Sequence, residues 1–151
     1  MDAELKKPLV FNHVYSSAPW GGRSIAFAFD RNDTPELCSE SWEISGHVFG
    51  MSAVKGGGFD GIALNELAKK FGAKLTGSKA PNENEFPLLF KLIDAREALS
   101  VQVHPNHRNA SLTNGTPKTE AWVVLDAKPG AHLYAGLVPG TTETALRTAV
   151  D

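Results

Sequence analysis

Gln102, His104, Lys118 and Glu120 are the residues of this sequence whose types and spacing could do chemistry. The first two lie in LSVQVHP (99–105), where Leu99, Val101 and Val103 alternate with Ser100, Gln102 and His104. Side chains two apart share a strand face, so one face carries a hydroxyl, an amide and an imidazole. The next carboxylate at the start of a strand-like stretch is Glu120, in PKTEAW. If strands at 99–104 and 119–126 are neighbours in a sheet, Gln102, His104 and Glu120 meet, with Trp122 as a wall. Imidazole nitrogen and carboxylate oxygen are ordinary ligands of zinc and its first-row neighbours. Glutamine is a rarer ligand, donating only through its amide oxygen. Lys118, two residues before Glu120, suits a phosphate or carboxylate group held near such a metal. Without its context, the same spacing also reads as an exposed polar face beside a solvated loop lysine.

The elements that must position these residues are mostly strands. PLVFNHVY (8–15) is a strand candidate, and SSAPWGGRSI (16–25) reads as a turn about Pro19, Gly21 and Gly22. SESWEISGHVFGMSAV (39–54) alternates, with Trp42 and Ile44 on one face and Ser41, Glu43 and Ser45 on the other. KGGGFDG (55–61) is a plain connection, since it lacks the G-x-x-x-x-G-K-[ST] pattern of a phosphate loop. In IALNELAKKFGAKL (62–75), Leu64, Leu67, Ala68 and Phe71 recur at helical spacing, and Gly72 or Gly77 can end the helix. Two strands joined at Ala95-Arg96-Glu97 are expected in 86–105, and further strands at 120–127 and 131–137. Thr141 and Thr142 are N-cap candidates for a last helix, which Asp151 cuts after about two turns.

The chain has 151 residues, enough for one domain with a sizeable core. Fifteen basic against seventeen acidic residues give a net charge of −2, with no basic run. That balance argues against nucleic acid or an anionic membrane as the partner. The single cysteine, Cys38, excludes an intrachain disulfide and any Cys₄ or Cys₂His₂ zinc site. No apolar run reaches membrane-spanning length, and a cytoplasmic location is expected.

PWGG (19–22), ESWEIS (40–45), FPLLFKLIDA (86–95), LSVQVHP (99–105) and KTEAW (118–122) occur in this order in type I mannose-6-phosphate isomerases. The chain resembles the N-terminal half of the short bacterial form of that family. The resemblance implies a mainly β fold, a cupin-like antiparallel jelly-roll barrel with a small helical insertion at about 62–77. Residues 1–151 would be the N-terminal part of that barrel, left incomplete. It implies one Zn²⁺ held by Gln102, His104 and Glu120, with Lys118 near the substrate in binding or proton transfer and Ser100 as a further substrate contact. The implied reaction is aldose–ketose isomerisation between mannose 6-phosphate and fructose 6-phosphate.

The family's fourth ligand, a second histidine in a motif like P-A-G-x-x-H, is not found here, nor is a later arginine near the reacting carbons. His107 and His132 sit outside that motif, and His13 and His47 read as structural. The chain alone is therefore expected to lack full activity. The alternative is a catalytically silent cupin-like module that binds a sugar or sugar phosphate. A small sugar phosphate is the expected partner, with self-association through unclosed barrel edges. Trp20 and Trp42 read as core or barrel-wall residues rather than sugar stackers. Glu43 is either a partner of the site or an exposed charge, and Lys91 either snorkels along its strand or joins the site.

Overall fold

A computed structural model describes residues 3–112 and 114–150. The chain divides into two units, one ending at Leu99 and the other beginning at Ser100.

The first unit is built on a three-stranded antiparallel sheet, β1 (Val14–Gly22), β2 (Cys38–Ser45) and β3 (Leu89–Ile93), in the order β1-β2-β3. β1 covers most of the stretch expected to be a turn. Pro19 lacks an N–H, which an edge strand tolerates where a central one does not. The cost is a break in register. Tyr15 pairs with Ser41 and Ser16 with Glu40, but Ser17 and Gly22 both face Cys38 across a bulge. Gly21 is needed there, since a Cβ on it would stand 2.6 Å from the Ser39 backbone nitrogen. The expected strand over 8–15 is only an isolated bridge, Phe11 to Val54, followed by β1.

The central strand β2 is confirmed where SESWEIS alternates, and its hydroxyl face is the buried one. Ser39, Ser41 and Ser45 are fully buried. Each is satisfied: Ser39 donates to the Ser16 carbonyl, Ser41 to Glu43, and Ser45 Oγ accepts from the His47 N–H. Serine is small enough to let segments pack closely there, provided its hydroxyl finds a partner.

A short helix α1 (Ser24–Ala28) follows β1, and Asp94 accepts the Ser24 N–H at its start. The expected helix forms as α2 (Leu64–Phe71) and α3 (Ala73–Thr76). Gly72, at φ +52°, breaks them apart, and Gly77, at φ +84°, ends the second. The core gathers Phe11, Val54, Phe59, Leu64 and Leu67, flanked by Ile44, Phe71 and Phe86. The helical spacing of Leu64, Leu67 and Ala68 therefore marks the buried face, as expected.

The second unit departs furthest from expectation. No described residue after Ile93 lies in a strand, so the strands expected at 99–104, 120–127 and 131–137 are not formed as ladders. Alternation marks a face, but a strand exists only where a neighbour takes its N–H and C=O groups. Val101 and Val103 are 77% and 93% exposed, so the aliphatic face of LSVQVHP is not packed. What this unit does contain is a short 3₁₀ turn, Ala110–Leu112, and helix α4 (Glu143–Val150). α4 starts as expected, with Thr142 Oγ1 accepting the Ala145 N–H at 3.2 Å. No helix among the described residues is long and apolar enough to cross a membrane.

Candidate metal centre

The polar loop 106–117 brings the two halves of the candidate site together. Asn106 and Asn109 tie the loop to itself through their side chains: Asn109 Oδ1 accepts the Asn106 N–H at 2.7 Å, and Asn106 Oδ1 the Arg108 N–H at 2.8 Å. Short asparagine side chains compete with regular structure in this way and fold a chain back locally. Gly115 N–H then donates to the Ala110 carbonyl at 3.0 Å, and Lys118 N–H to the Pro105 carbonyl at 3.2 Å. That last bond places 118–120 beside 104–105. The adjacency expected of two paired strands is thus achieved by a folded loop and a single backbone bond.

Three of the five predicted residues meet. His104 Nε2 stands 3.1 Å from Glu120 Oε2, Lys118 Nζ 3.1 Å from Glu120 Oε1, and Lys118 Nζ 3.4 Å from His104 Nε2. His104 and Glu120 are about one quarter exposed, at 26% and 28%, so the group is open to small solutes. Gln102 and Ser100 form a separate pair, the amide nitrogen donating to Ser100 Oγ at 3.0 Å. This bond commits the nitrogen and leaves the amide oxygen as the donor atom available to a cation.

Nε2 and Oε2 at 3.1 Å fit two ligands of one ion, because tetrahedral ligands about 2.0–2.1 Å from zinc stand roughly 3.3 Å from each other. Among the described residues no three His, Cys, Asp or Glu side chains converge. An imidazole and a carboxylate that meet in this way could hold a metal ion, while Gln102 is paired with Ser100.

The other candidates are accounted for elsewhere. His47 Nδ1 accepts the Phe49 N–H, and its ring lies edge-on to Trp42. His132 touches the Tyr134 hydroxyl. Lys91, left open between two roles, pairs with Glu40 Oε1 at 3.0 Å, and Trp42 Nε1 donates to Glu40 Oε2 at 2.7 Å. In the glycine run the Gly56 N–H is taken by Asp60 Oδ1, consistent with a plain connection. Glu43, left open between a partner of the site and an exposed charge, is part-buried and belongs to a polar group in which it pairs with Arg31. Its members are scattered from 13 to 43 and carry no motif, so only their packing reveals them.

Residues 9–132 match the family model described as phosphomannose isomerase type I, catalytic domain, a stretch that includes Ser100, Gln102, His104, Lys118 and Glu120. The chain is 36% identical over 133 residues to a mannose-6-phosphate isomerase of Streptococcus mutans, covering 87% of this chain and 41% of that protein. It is 35% identical to the Bacillus subtilis mannose-6-phosphate isomerase ManA, covering 96% of this chain and 45% of that one. The crystal structure of the mannose 6-phosphate isomerase from Bacillus subtilis superposes with a TM-score of 0.62 at 32% identity, over 71% of this chain and 33% of that one. The chain spans less than half the length of these relatives. With the motifs, their order and the matched stretch in agreement, the chain belongs to the type I phosphomannose isomerase family.

Proposed function

We propose that this chain carries the metal-binding face of an isomerase that interconverts mannose 6-phosphate and fructose 6-phosphate. The observation that supports it is the approach of His104 Nε2 to Glu120 Oε2 at 3.1 Å beside Lys118, in a chain of this family. In this reading the three-stranded sheet is part of a cupin-like jelly-roll barrel. His104 and Glu120 hold a zinc ion through Nε2 and Oε2. Gln102 adds its amide oxygen, and Ser100 orients that amide by accepting its N–H. A bound zinc supplies Lewis-acid stabilisation of charge developing on the sugar oxygens. Lys118 holds the substrate's negative charge and is the group of this chain assigned to the proton that moves between C2 and C1. Ser100 is a further substrate contact.

Zinc titration of the purified chain beside His104→Ala and Glu120→Ala tests the site. Each variant is expected to bind at least about tenfold more weakly, and equal affinity in all three would remove the metal centre. Carbon-13-labelled fructose 6-phosphate, added with zinc, then tests the reaction by NMR. Appearance of mannose 6-phosphate supports the isomerase. Zinc-dependent sugar-phosphate binding without turnover would instead favour the silent binding module.

A further inference from the structure

The first unit holds a cavity that contains none of the candidate metal ligands and does not rest on the function proposed above. It opens between the N-terminal segment, which begins with a 3₁₀ turn at Ala3–Lys6, and β2, α2, α3 and Phe86. Its volume is about 310 Å³. Small-molecule sites run from about 300 to 1,000 Å³, so it has room for one compact ligand.

The floor of the cavity is the core itself, where Phe11 and Leu64 are buried. The walls are side chains that folding only partly removes from water, among them Leu9, Ile44, Leu75 and Phe86. Seven of the nine described lining residues are aliphatic or aromatic, and the other two are Lys7 and Lys74. Both lysines are exposed, so their charges lie at the mouth. Lys7 comes from the N-terminal segment and Lys74 from α3, so two separate elements bring positive charge to one opening. No carboxylate side chain is among the described lining residues.

Such a lining selects its ligand by exclusion. Apart from the two ammonium groups, no described lining side chain can hydrogen bond. A sugar would therefore give up its hydrogen bonds to water without replacement. A cation is repelled at the mouth, and an inorganic anion leaves the walls wet. A neutral hydrocarbon fills the interior but gains nothing from the lysines. Walls and mouth are used together only by a molecule with an apolar tail and a single negative head. A compact ammonium acts on such a head as a point charge, while the lysine stem lies along apolar surface. Five of the seven apolar lining residues are leucine or isoleucine. These flexible aliphatic side chains suit an alkyl tail.

We propose that this cavity is a binding site for a single-chain alkyl carboxylate. The tail lies among Ile44, Leu75 and Phe86, over the floor of Phe11 and Leu64, and the head sits at the mouth beside Lys74 and Lys7. The site thus takes a ligand of a different class from the sugar phosphate proposed for the metal centre.

Calorimetric titration of the full chain with hexanoate, octanoate and decanoate tests this. Affinity should rise about fourfold for each methylene that the walls cover. Inorganic phosphate and octyltrimethylammonium, which each lack one half of the ligand, should bind at least about tenfold more weakly than decanoate. Lys74→Glu changes an exposed residue, so the fold should tolerate it. This variant should bind decanoate about tenfold more weakly, because attraction at the mouth becomes repulsion. Methyl carbon-13 spectra locate the ligand: signals of Leu9, Ile44 and Leu75 should move, and those of the exposed Val101, Val103 and Val123 should not. Absence of decanoate binding overturns the site, as does equal affinity in Lys74→Glu or a response confined to the three valines. A mass that rises with protein concentration, without decanoate binding, also overturns it and assigns the cavity to a second copy of the chain.

Discussion

At the scale of single residues, the two polar groups of this chain follow different rules. His104, Lys118 and Glu120 lie a quarter or more exposed, so their mutual contacts are screened and contribute little to stability. Their value lies in presenting donor atoms together. Glu43 is only 17% exposed and is held by two side chains, so its contribution is to folding. Replacing it by glutamine leaves the Arg31 guanidinium without its fork-shaped partner, and we expect a loss of about 2 kcal/mol by urea denaturation. The pH dependence has a definite sign. The folded carboxyl titrates below its ordinary value, so its stabilisation is full above the usual glutamate range and is lost as pH falls through and below it. Glu43→Gln should flatten that acid limb; an unchanged limb would mean that another carboxylate carries it.

Among the elements, α2 shows how far a local pattern reaches. Its apolar spacing placed Leu64 and Leu67 on the buried face, and both are 1% exposed. Leu67→Ala should therefore open a cavity and cost about 3 kcal/mol, readable as a lower urea midpoint with an unchanged slope. A loss below about 0.5 kcal/mol would show that the site collapses around the smaller side chain. β1 teaches the opposite lesson. Pro19 and the glycine pair look like turn chemistry, yet they sit in a bulged edge strand because β2 supplies a partner on one side only. The second-unit stretches have equally good alternation and no ladder, so that Val123, Val124 and Leu125 are all more than half exposed.

For the whole molecule, burial is unevenly shared. The buried apolar cluster lies entirely in the first unit, from Phe11 to Leu67, while most side chains beyond Ser100 are exposed. Hydrogen exchange should follow this division. Amides of β2 are expected to exchange orders of magnitude more slowly than those of 120–138, as read by mass spectrometry on peptic fragments. Comparable protection in the two stretches would mean that 120–138 is paired in solution.

The sequence by itself determined what depends on nearest neighbours along the chain. Helical spacing located α2, two glycines located its breaks, a threonine located the start of α4, and LSVQVHP with KTEAW carried the family and its candidate ligands. Tertiary structure alone decided which alternating segments became strands, because a ladder needs hydrogen-bonding partners that no segment contains within itself. It also decided that Lys118 and Glu120 reach His104 through a folded loop, with Gln102 turned to Ser100. The Arg31–Glu43–His13 group owes everything to packing. Its residues have no spacing to read, and only their distances in the folded chain make them a unit.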